Sequence, residues 1–173
     1  MNLREATAEL HSKAEKMAFN QRMFKGELTK EEYIVYLSQQ LGIFDSIEGY
    51  DLPHPSLNRV NNIVSDIKEL TGETGDTLAI DLLDSTGEYF DYLRSLTQEQ
   101  LLPHVYLNYL ALTYGGQMMK SKVPGSGRMY DFENVQECIG SIRAIQNDDM
   151  AEEVNKGFQY IINILDELQR NAG

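Results

Sequence analysis

Residues 3–15 read Leu3-Arg4-Glu5-Ala6-Thr7-Ala8-Glu9-Leu10-His11-Ser12-Lys13-Ala14-Glu15. Leu3, Ala6/Thr7, Leu10, Ala14 and Met17/Ala18 recur at steps of three and four, the period of a helix with one buried stripe. Asn2, with Glu5 three residues on, suits its N-terminus, and the spacing predicts a helix to about Phe19. His11 and Glu15 stand four residues apart on one face of it. The same period runs through most of the chain. Lys25-Gly26 interrupts it, and residues 29–32, Thr-Lys-Glu-Glu, form a capping box for a second helix that carries Tyr33, Tyr36, Leu41 and Phe44. Residues 49–55, with Pro53 and Pro55, read as a loop, after which Ser56 is placed to cap a third helix that stops at Gly72. A fourth is expected from near Asp76, with Gly87 a point of interruption. Residues 97–100, Thr-Gln-Glu-Gln, open a fifth, in which Pro103 fits only near the first turn. Residues 124–127 are a turn, and a last long helix is expected from about Met150. No alternating strand pattern persists and no fixed-period repeat is present. The expected architecture is all-α, a helical bundle in one domain spanning residues 1–173.

Two local features ask for a chemical explanation. The first is His11: neutral imidazole is a frequent ligand of haem iron, and its other ring nitrogen is usually held by an acceptor, a part Glu15 is placed to play. A lone helical histidine is by itself more often an ordinary surface or core residue. The second is Tyr114-Gly115-Gly116-Gln117, inside an otherwise helical run. Two adjacent glycines within a helix cost about 2 kcal/mol relative to alanine. A helix end or kink would account for them; so would a flat ligand lying directly over the backbone.

Composition limits the partners. The 173 residues carry a net charge of −12, which argues against nucleic acid. The charge is uneven: residues 1–30 hold a local +2 and residues 118–130 a local +3 from Lys120, Lys122 and Arg128, with −11 over 31–117 and −6 over 131–173. The two basic patches suit an anionic ligand or an acidic partner. No apolar run is long enough to span a bilayer and no secretory leader is visible. The single Cys138 cannot form an internal disulfide, so a cytoplasmic location is expected. His54, between prolines, is expected to be solvated. His104 is expected to support packing or hydrogen bonding.

With their flanks, these features become specific. Residues 3–15 resemble the proximal helix of heme oxygenases, in which a basic-Glu-Ala-Thr run precedes the histidine and Ala-Glu follows it; Lys25-Gly26 and Tyr33 continue the likeness. Residues 101–110, Leu-Leu-Pro-His104-Val-Tyr106-Leu-Asn108-Tyr109-Leu110, followed by Gly115-Gly116-Gln117, resemble the family's distal helix. Ile142-Arg143 through Asn147-Asp148, and Glu152-Glu153, Phe158 and residues 166–169, extend the likeness to about two-thirds of the chain.

The resemblance implies haem b, as cofactor and substrate, between a proximal and a kinked distal helix. It implies cleavage with O2 to biliverdin, carbon monoxide and ferrous iron, and a small electron donor such as ferredoxin. His11 would be the iron ligand and Glu15 its neighbour. Arg4 and Arg143 match basic positions that hold the propionates, and Tyr106 a tyrosine at the haem edge. Phe158, Ile161 and Leu165 match positions that wall the pocket. Gly115 and Gly116 match the glycines over the macrocycle. Departures are as informative. A second basic position in the first helix is Ala8, Ile139 stands where the family often has lysine, and Ile161 replaces the more usual asparagine. The distal aspartate that orders water and feeds protons is Leu112, the glycine before it is Ala111, and an arginine of the same network is Asn108. A different water chain through Tyr106, Asn108, Thr113 or Tyr114 would have to serve; otherwise the chain is a haem carrier or sensor. A non-haem metal oxidase would need several carboxylates and histidines converging on paired metals, which three histidines do not supply.

Overall fold

The computed structural model describes residues 1–73 and 80–172. Eight α-helices and no strands are found among them: α1 (Leu3–Glu15), α2 (Ala18–Phe24), α3 (Lys30–Ile47), α4 (Val60–Thr71), α5 (Asp84–Arg94), α6 (Gln98–Lys120), α7 (Val135–Ile145) and α8 (Ala151–Asn171). The all-α reading holds. Capping boxes form at Asn2/Glu5, Thr29/Glu32 and Thr97/Gln100, each satisfying amides that the first helical turn leaves without partners.

Several boundaries differ from expectation, each because a distant or downstream side chain does the capping. The first helix ends at Glu15, not near Phe19. Met17 is extended, and the freed carbonyls of Ala14 and Glu15 accept from Asn20 Nδ2 (3.0 Å) and Gln21 Nε2 (2.6 Å) of α2. Ser56 does not cap the third helix; it lies in a short 3₁₀ turn, Pro55–Leu57, which His54 caps. The α4 amides of Arg59 and Val60 instead donate to the Glu48 carboxylate, at 2.8 and 2.9 Å, from the end of α3. The start expected near Asp76 lies outside the described residues. The helix observed there begins at Asp84, with Ser85 N and Oγ donating to Glu167 on α8 at 3.0 and 2.6 Å. Gly87 does not interrupt it. Pro103 sits in the second turn of α6, and the Glu99 carbonyl it leaves without a donor belongs to an exposed residue. The helix continues unbroken across Gly115 and Gly116.

The helix α8 is the common support: α1, α2, α5 and α6 all pack on it, while α3 packs on α4 and α5, and α7 on α6. The main core gathers Tyr33, Leu37, Phe44, Ile63, Tyr89, Leu93, Leu101, Tyr109 and Leu165. A second, smaller cluster of Leu3, Leu107, Met150 and Val154 lies where α1, α6 and α8 meet, with Tyr106, Phe158 and Ile161 half-buried against it. Gly157 permits that crossing, since a Cβ there would stand 2.5 Å from Leu107 Cδ2. Beyond α6 the chain turns from residue 121, a longer turn than the expected 124–127 that includes it. The next turn is clamped by buried Arg59, which donates to the carbonyls of Met129 (2.9 Å) and Asp131 (2.6 Å) and lies over the Phe132 ring.

Candidate functional site

Around the smaller cluster the structure gathers several of the residues singled out in the sequence. His11 projects from α1 with more than half of its side chain exposed, and its ring stacks on Phe158 of α8 at 5.5 Å between centroids, 17° from parallel. Its Nε2 lies 2.9 Å from Glu15 Oε1. One nitrogen is thus held by a carboxylate, and the ring plane by an aromatic neighbour. Tyr106 and Ile161 border the same cluster, whereas Leu165 is buried in the main core. Arg4 is exposed on α1 and Arg143 on α7.

The α6 face opposite this support separates the two glycines. Gly116 is buried, and a Cβ would stand 3.3 Å from the Tyr130 ring, so its bareness serves packing. Gly115 is exposed, and a Cβ there would meet nothing within 4 Å. Packing therefore explains one glycine and leaves the other open to a functional account. Asn108, Leu112 and Gly115, spaced i, i+4 and i+7, share a face. Ala111 is exposed and Leu112 half-buried against the main core. Thr113 is buried, and its hydroxyl donates to the Leu110 carbonyl at 2.9 Å, so it is turned to its own backbone. Asn108 Nδ2 donates to the His104 carbonyl (2.8 Å) and to Tyr89 Oη (3.1 Å); the carbonyl, which can only accept, fixes which end of the amide faces inward.

Sequence reasoning missed the extent of the polar network behind Asn108. His104 is fully buried, as its packing role required, and both ring nitrogens are engaged. Nδ1 lies 2.7 Å from Tyr89 Oη and Nε2 3.0 Å from Glu153 Oε1, which also accepts from the Tyr92 hydroxyl. Burial pushes the His104 pKa down, and the Glu153 bond opposes this only in part. Burial pushes Glu153 up, but donors from Tyr92 and His104 and the nearby Lys156 ammonium outweigh it and hold the carboxyl below its ordinary value. Neutral His104 donating to ionised Glu153 satisfies both. Tyr89 and Tyr92 share α5, His104 lies on α6 and Glu153 on α8, and nothing local in the sequence joins the three helices.

Two expectations of charge and exposure are corrected. His54 is only about one-fifth exposed: its Nδ1 accepts from Ser56 N (3.1 Å) and its Nε2 meets Glu137 (3.1 Å). The basic patch at 118–130 is largely answered by acids from outside it. Lys120 pairs with Asp131, and Arg128 approaches Glu69 at 3.9 Å. Arg143 is different. Its Nη1 donates to Gln146 (2.8 Å) and its Nη2 to the Tyr114 hydroxyl (3.3 Å), and no carboxylate pairs with it among the described residues.

The family model for heme oxygenase matches residues 1–166. The chain belongs to the heme oxygenase family. Heme oxygenase 2 of Mus musculus is 26% identical over 204 aligned positions, covering 97% of this chain but 64% of the relative, so the chain spans just under two-thirds of that protein's length. Heme oxygenase of Guillardia theta is 25% identical over 159 positions, covering 79% of this chain and 67% of the relative. The fold matches heme oxygenase-1 of Synechocystis sp. PCC6803, solved in complex with heme. The TM-score is 0.83 at 22% identity, over 98% of this chain and 91% of that one. The heme oxygenase of Leptospira interrogans matches with a TM-score of 0.81 at 25% identity, over 95% of this chain and 97% of that one. No helix among the described residues is long and apolar enough to cross a membrane.

Proposed function

We propose that this heme oxygenase family member binds haem b between α1 and α6 and cleaves it with O2 to biliverdin, carbon monoxide and ferrous iron. Electrons would come from a small donor such as ferredoxin in the cytoplasm. The observation that carries this reading is an accessible, carboxylate-backed His11 on α1 together with a bare, exposed Gly115 on α6, which packing does not explain, the two helices meeting in the Leu3/Leu107 cluster. These residues suit haem: an imidazole donor on one side, a backbone open to a flat ring on the other, and half-buried Phe158 and Ile161 as apolar wall.

Bound haem supplies both the iron that activates O2 and the ring that is cut. His11 would hold the iron through a ring nitrogen while Glu15 fixes the imidazole's orientation. Arg4 and Arg143 would take the carboxylates in charge-assisted bonds. Tyr106 would border the ring edge. On the distal face, Asn108 is the one polar side chain of the Asn108, Leu112, Gly115 row. With both amide hydrogens used inward, it presents only an acceptor. It can hold a water that donates to it, but it cannot itself release a proton as a carboxylic acid can.

The test is aerobic turnover of the haem-loaded protein with ferredoxin and its reductase. Loss of the Soret band with formation of a green tetrapyrrole is expected; an intact Soret band and no pigment would end the oxygenase reading. His11→Ala should abolish the imidazole-ligated spectrum, and its retention would remove His11 from the role. The packing of Leu112 against the core, where a carboxylate would be needed, favours a second reading, a haem carrier or sensor. Leu112→Asp decides between them: turnover gained only in the variant would make the parent a binder.

A further inference from the structure

Arg143 is held in a way that its own helix does not require. It lies on α7, yet its guanidinium carbon stands 5.4 Å from the centroid of the Tyr114 ring on α6, and Nη2 is 3.3 Å from the tyrosine hydroxyl. Gln146 takes Nη1 at 2.8 Å. The guanidinium is therefore fixed over a ring and at both amino ends, with donors to spare among its five N–H groups. Tyr114 is 60% exposed, so it buries too little surface to be there for the core. It also precedes Gly115, the exposed glycine whose missing Cβ leaves open space.

Charge makes the pair more pointed. Arg143 has no acidic partner among the described residues, in a chain of net charge −12. In the neighbouring stretch 118–130, Lys120 is paired with Asp131 and Arg128 approaches Glu69, while Lys122 lies on the chain beyond the end of α6. Ile139, one turn earlier on α7, offers no second cation. Since the Tyr114 oxygen accepts from Arg143, its own hydroxyl proton is free to donate.

We propose that Tyr114 is the positioning residue for Arg143, and that the two together form a two-donor clamp, guanidinium N–H beside phenol O–H, for one carboxylate of a bound porphyrin. This rests on the haem-binding reading and adds to it the residue that does the work of the missing basic group. A carboxylate held by a fixed guanidinium and a hydroxyl side by side loses less freedom than one met by a free arginine.

The test needs no turnover. Zinc protoporphyrin IX and its dimethyl ester are titrated into the apoprotein, in wild type, Tyr114→Phe, Tyr114→Leu, Arg143→Met and the Tyr114→Leu/Arg143→Met double variant, with circular dichroism to verify the fold. Tyr114→Phe should weaken free-acid binding about two- to tenfold, the worth of one hydrogen bond. Tyr114→Leu should weaken it further, toward the loss seen in Arg143→Met. The ester should bind all variants alike, and the double variant should bind the acid little worse than Arg143→Met alone, because the two residues act as a unit. Wild-type affinity for the acid in Tyr114→Leu, equal losses for acid and ester, or losses that multiply in full in the double variant would each overturn the clamp. Failure of the wild type to bind either porphyrin would instead overturn the haem reading on which it rests.

Discussion

Replacing Gly115 by alanine should move folding stability and porphyrin affinity in opposite directions. In the ligand-free chain the added Cβ meets no atom within 4 Å, in the body of a 23-residue helix. Alanine in place of glycine there should stabilise by about 0.8–1 kcal/mol, through helix propensity and a less flexible unfolded chain. For a chain of this length that raises Tm by about 2–4 °C. A planar ligand seated on the bare backbone would meet that same methyl. Overpacking of this kind costs about 1–3 kcal/mol, or about 5- to 150-fold in affinity. Thermal unfolding of apoprotein measures the first effect and absorbance titration with haem the second. A lower apoprotein Tm would refute the open space around Gly115. A higher Tm with unchanged haem affinity would refute close approach of the ligand at this position.

Gly157→Ala should behave in the contrary way, because a Cβ there would stand 2.5 Å from Leu107 Cδ2 and 3.1 Å from the His104 ring, which two hydrogen bonds hold in place. Overpacking less the helix-propensity gain leaves a net loss of up to about 2 kcal/mol, which should lower Tm by up to about 8 °C; a Tm raised as in Gly115→Ala would mean that α6 and α8 separate freely. The Arg22 guanidinium, bonded to Glu32 at 2.5 and 2.7 Å, pulls the Glu32 carboxyl from its ordinary 4.5 to about 2. The folded-state pKa is depressed, so this stabilisation is complete above about pH 4.5 and disappears as pH falls toward 2. Discounted for solvent screening, it is about 1–2 kcal/mol. The Tm gap between wild type and Glu32→Gln should therefore close across that window, and a gap independent of pH would contradict the pairing. His104 is likewise depressed by burial, so its neutral form contributes stability at pH values above about 6.5 that is lost on acidification. Denaturant titrations of His104→Asn should lack that acid slope; an identical slope would show that other groups produce it.

Much of this molecule is legible residue by residue. The capping boxes at Asn2, Thr29 and Thr97 and the apolar periods of the helices depend on neighbours three or four positions away, so the chain declares them locally. His11 and Glu15 share a helix, and their pairing follows from spacing alone. What spacing could not supply is everything made between helices. Glu48 capping α4, Asn20 and Gln21 closing α1, and Glu167 seizing the start of α5 shifted boundaries that local signals set elsewhere. The double glycine is the clearest instance. In the sequence Gly115 and Gly116 are equivalent exceptions to helix propensity. Only the position of Tyr130 assigns one to packing, and only the empty space beside the other leaves it for a ligand. The same holds for the buried His104 network and for Arg143 over Tyr114, which bring together residues from different helices. Periodicity states which side of a helix is buried, but not what it is buried against, and the chemistry of this site depends on the second.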